Sequence, residues 1–152
     1  GLLIAFACKK SSTTTTPPAN NNNNTVTTNT TSLNFSVNGT AASYPTAIFT
    51  PSGSSMVILA IDVTGYPQVQ ITFPGTSLPI NGTYTITSGT PAGNHCKFLL
   101  TPLAGTVATA SSGVVTVVAA TTPSNTAYFT NIICTGTGTT SATYTVSGAA
   151  KY

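Results

Sequence analysis

The feature that most constrains this 152-residue chain is a two-residue rhythm. Leu33-Asn34-Phe35-Ser36-Val37 alternates apolar and polar side chains and stops at Asn38-Gly39, a hairpin signal. Gln68-Val69-Gln70-Ile71-Thr72-Phe73 does the same after Gly65-Tyr66-Pro67, with Val69, Ile71 and Phe73 on one face. A strand sends successive side chains to opposite faces, so this period marks sheets with one buried side. No segment repeats apolar residues at i, i+3, i+4 and i+7 over a helical length, and Gly and Pro recur about every 8–12 residues. Further strands are predicted over 47–50 (closed by Pro51), 55–63, 83–87, 95–101, 113–120, 127–134, 143–147 and 149–152. The stretch 55–63 is apolar on both faces and belongs at the centre of a sheet. Eight to ten short strands so spaced predict an all-β fold, a single antiparallel β-sandwich of Ig-like or Greek-key type over residues 32–152.

Charge is almost missing. Lys9, Lys10, Lys97, Lys151 and Asp62 are the five charged residues, 3% of the chain where about 25% is ordinary. Thr, Ser, Asn and Gly must cover the surface, which suits a glycan coat or burial in a repeating assembly. Edge strands are usually guarded by Lys, Pro or bulges, and this chain has little charge to spend there. Four scattered lysines make no basic patch, which argues against nucleic-acid binding.

The same inventory argues against catalysis. One Asp, one His and no Glu rule out a carboxylate pair. His95 and Cys96 are neighbours on a predicted strand and point to opposite faces, so they do not form a Cys–His couple. No Gly-x-Ser-x-Gly elbow and no phosphate-cradling glycine loop occurs. One His and three distant Cys fit no zinc spacing. The expectation is a protein that is not an enzyme and needs no cofactor or metal.

Residues 1–8 are apolar from Leu2 to Cys8, followed by Lys9-Lys10 and a Ser/Thr/Pro/Asn tract over residues 9–31 without capacity for a core. Seven apolar residues are too few to span a bilayer, which takes about 20. Two uses are open. As a strand, Leu2, Ile4 and Phe6 would face one way and Leu3, Ala5 and Ala7 the other. Such a segment can be donated to another subunit's sheet. The other use rests on Ala5-Phe6-Ala7-Cys8: with Lys9-Lys10 and the polar tether, this resembles a lipobox and the start of a Bacteroidota-type surface lipoprotein. Gly82-Thr83-Tyr84 and Thr145-Val146-Ser147-Gly148 also resemble strands of small domains in such proteins. The resemblance implies export, lipid on Cys8 with removal of the residues before it, and membrane contact only through that anchor.

Cysteine parity leaves Cys96 and Cys134 as a candidate disulfide, closing a loop of about 38 residues. Asn23, Asn29, Asn34, Asn38 and Asn81 each begin an Asn-x-Ser/Thr sequon and are candidates for N-glycans. Asp62 is a simple strand-end acid, a buried acid paired with a lysine, or the promoter of an isopeptide between Asn131 and Lys97 or Lys151. Together these readings predict an exported structural subunit that forms a homopolymer at the cell surface or outside it. The rival expectation is a monomeric lipoprotein that binds glycans or proteins.

Overall fold

The computed structural model describes residues 27–29, 33–44, 46–61, 65–119, 125–137 and 141–151. The segment 1–8 with Leu2, Leu3, Ile4, Ala5, Phe6, Ala7 and Cys8, most of the tether with Asn23, and Asp62 lie outside the described residues.

The fold is all-β. Its strands are β1 (Thr27–Asn29), β2 (Leu33–Val37), β3 (Thr40–Tyr44), β4 (Thr46–Ser52), β5 (Ser55–Ile61), β6 (Gln68–Pro74), β7 (Gly82–Ile86), β8 (His95–Thr101), β9 (Ala108–Ala110), β10 (Val114–Val118), β11 (Thr126–Gly136) and β12 (Thr143–Lys151). All twelve join one hydrogen-bonded sheet, antiparallel except where Thr85 and Ile86 run beside His95 and Cys96. Pairing continues without a break through every strand, and the arrangement is consistent with a sandwich-like all-β fold.

The order of pairing is simplest to follow as lanes. β10 and β9 lie end to end along one edge of β11, against residues 126–129 and 134–136, while β12 holds the opposite edge. On their far side β10 meets β7 and β9 meets β8. β7 and β8 also lie side by side through a two-residue parallel ladder, so β8 and β11 are bridged by β9 alone at one end and by β7 with β10 at the other. The strand order is β1, β4, β5, β6, β8, β7, β10, β11, β12, β2, β3, with β9 off this path between β8 and β11.

The alternation seen in the sequence decides which face is buried. Val69, Ile71 and Phe73 of β6, Cys96, Phe98 and Leu100 of β8, and Val115 and Val117 of β10 are all buried. They belong to one continuous cluster with residues from β2, β5, β7, β9, β11 and β12. Register aligns part of it into a row across six lanes: Tyr84, Val115, Phe129, Gly148, Phe35, Ala42. Gly148 stands between Phe129 and Phe35 in that row, and the centroids of the two rings lie 6.4 Å apart. Phe98 meets Phe129 edge-on at 5.1 Å and Phe73 meets Tyr84 edge-on at 4.8 Å, geometries that add about 0.5–1.5 kcal/mol each beyond burial.

Several boundaries differ from expectation. Pro51 does not close β4 but sits inside it opposite Met56, and residues 143–147 and 149–152 belong to one strand, β12, which ends at Lys151. Thr27–Asn29, assigned to the tether, pairs with β4. β3 and β9 carried no clear alternation and were not predicted. β5 takes its interior position between β4 and β6.

Candidate functional site

Among the described residues the titratable side chains are dispersed. His95 opens β8 on the exposed face, its Nδ1 3.0 Å from the Ala92 carbonyl oxygen. Cys96, next in the chain, is buried on the other face, with its thiol 3.9 Å from the Tyr84 carbonyl. Among the described residues no three of His, Cys, Asp or Glu come together.

Cys96 and Cys134 are free thiols, not the expected disulfide. Cys134 of β11 faces Ala110 of β9, and β9 in turn faces β8. Two lanes separate the cysteine strands, about 10 Å of backbone, whereas a disulfide spans Cα atoms up to about 7 Å apart. Both side chains are enclosed among apolar neighbours, and burial pushes each thiol up to about 12. They act as small core residues, inert as nucleophiles.

The isopeptide alternative also fails on register. Lys151 stands opposite Thr126, five residues along β11 from Asn131. Lys97 is on β8, opposite Thr72 of β6 and two strand spacings from β11. Asn131 instead shapes an irregularity of β11: it has φ +51°, and its amide donates to Ser147 Oγ at 2.7 Å.

Two sequon asparagines have structural tasks. Asn38 and Gly39 both have positive φ, as the tight β2–β3 turn requires. Asn38 N–H donates to the Thr145 carbonyl and its Oδ1 accepts from Thr145 N–H, both at 2.8 Å, so the turn is clamped to β12. Asn81 Oδ1 accepts from the Ala119 amide, tying the start of β7 to the end of β10. Asn29 and Asn34 lie within β1 and β2.

One groove of about 260 Å³ opens beside the β6–β7 connection, lined by Pro74, Leu78, Ile80, Tyr84 and Asn94 among others. Drug-sized ligand sites are about 300–1,000 Å³. Its one titratable group, the Tyr84 hydroxyl, donates to the Ile80 carbonyl at 3.2 Å and is shifted up by burial. It offers neither an acid nor a base near neutral pH.

The borders of the sheet are more telling. β1 at one side covers only Ala47, Ile48 and Phe49 of β4. β3 at the other side has no strand beyond it among the described residues. Neither carries a charged residue. The outer face of β10 and β11 is equally neutral and exposes Val114, Val118, Tyr128 and Ile133. Ala41 and Ser43 of β3 had no sequence signal. They are set apart only by lying on a border strand. Comparison with family models, with curated proteins and with solved structures finds no match.

Proposed function

We propose that this protein is an exported, non-enzymatic structural subunit of a cell-surface or extracellular filament, and that residues 2–7 are the strand each subunit donates to the next. The observation that supports this most is that, among the described residues, the sheet ends on two uncharged border strands, β1 and β3. Monomeric proteins blunt such borders because unpaired backbone groups template association. In a polymer the same groups are the joint. Donation from one copy to another is a heterologous contact, which builds open filaments unless the rotation closes a ring. The neutral Val/Tyr/Ile face of β10 and β11 supports the same reading, since lateral packing needs no charge to be desolvated.

A second reading rests on Cys8-Lys9-Lys10: a monomeric lipoprotein anchored at Cys8, presenting a neutral surface to glycans or proteins. Intact mass of the protein from its native source, with electron microscopy of the same sample, separates the two. Filaments built from chains that retain residues 2–7 support donation. A diacylated or triacylated Cys8 as first residue of dispersed particles rejects it in favour of the anchor.

A further inference from the structure

We infer that the acceptor for residues 2–7 is the free border of β3 in a second copy of this chain, with Leu2, Ile4 and Phe6 facing the core beside Ala42. This rests on the donation reading above and assigns its receiving site.

Hydrogen-bond parity identifies the backbone groups available. In a two-residue hairpin the flanking pair, here Val37 and Thr40, is a bonded pair, and bonded pairs alternate with non-bonded ones. Phe35 with Ala42 and Leu33 with Tyr44 are then bonded, whereas Ala41 and Ser43 direct their N–H and C=O away from β2. The same parity on β2 directs Ser36 and Asn34 to β12, in agreement with the bond from Asn38 N–H to Thr145. Ala41 and Ser43 thus offer two donors and two acceptors to an added strand, the requirement for β-augmentation.

Packing points to the same border. The row Tyr84, Val115, Phe129, Gly148, Phe35, Ala42 reaches β3 on a small residue that is only half-buried against the core. Large and small residues alternate over its last four places, and the next place would take a large apolar side chain. Residues 2–7 put Leu, Ile and Phe on one face at the two-residue spacing of a strand. The opposite border is less suited. β1 already occupies the middle of β4, and Pro51 lacks an N–H. Residues 9–26 between the donor and β1 extend to about 60 Å, enough to reach a neighbouring copy.

The test uses the full chain, with size-exclusion light scattering, electron microscopy and amide hydrogen exchange. Wild type should form concentration-dependent oligomers or filaments in which the Ala41 and Ser43 amides exchange at least tenfold more slowly than in dispersed Phe6→Asp. Ala41→Pro removes one outward donor and no bond within the sheet, and should also disperse the assembly. Ala41→Lys, which keeps the amide, should weaken it if the proline variant fails to fold. Assembly abolished by Phe6→Asp but untouched by both Ala41 variants, with Ala41 and Ser43 still exchanging freely, overturns β3 as acceptor and leaves donation standing. Assembly unaffected by Phe6→Asp, or no assembly by wild type at any concentration, overturns both.

Discussion

Gly113 is the residue whose replacement is most informative about the fold. It sits between β9 and β10, where the chain passes from one to the other along the edge of β11, and has φ +121°. A Cβ added there would lie 2.7 Å from Ile132 Cδ1 and 3.2 Å from Ile86 Cδ1. Two costs follow for Gly113→Ala. Holding alanine in a glycine-only backbone region costs about 1–3 kcal/mol. The steric cost is smaller, because the struck atoms are terminal methyls that can turn away from their preferred rotamers for about 0.5–1.5 kcal/mol. The sum is about 2–4 kcal/mol, a large part of the about 5–15 kcal/mol that holds an ordinary domain together. With a urea slope of about 2 kcal/mol/M the unfolding midpoint should fall by about 1–2 M. Ile132→Val in the same background removes the Cδ1 methyl and should return only the steric share, about 1 kcal/mol. A midpoint for Gly113→Ala within about 0.3 M of wild type refutes this reasoning. Full recovery with Ile132→Val refutes the backbone part of it.

The buried thiols make two outcomes testable together. At pH 8 iodoacetamide should leave Cys96 and Cys134 unlabelled in the native protein and label both in urea, as read by peptide mapping. Because burial holds each thiol up at about 12, above its ordinary value near 8.5, the neutral form's stabilisation is complete below that ordinary value and is lost as pH climbs towards 12. The urea midpoint should therefore be lower at pH 10.5 than at 7.5, and the Cys96→Ala/Cys134→Ala variant should show a shallower fall. For the β2–β3 turn, Asn38→Ala forfeits the acceptor for Thr145 N–H and forces alanine to φ +51°, which should cost about 2 kcal/mol. Asn38→Asp keeps an acceptor and tolerates that backbone, so its urea midpoint should stay near wild type.

The sequence alone determined the fold class. Strict alternation in 68–73, and the Asn38-Gly39 turn after 33–37, read correctly because burial against a one-sided sheet and positive φ are local demands on particular residues. Strands with weak or no alternation were lost: β9 is three residues of Ala and Thr, and β3 is largely Ala and Ser, so neither announces a face. Long-range matters were decided only by tertiary structure. Whether Cys96 and Cys134 could bond depended on which strands lie between them, and spacing along the chain says nothing about lanes. Nor could the sequence show that β3, an unremarkable Thr-Ala-Ala-Ser-Tyr, would border the sheet. Side-chain pattern records which face is buried, but the partners of a strand are set by where distant strands pack, and an open border exists only once every other strand has been placed.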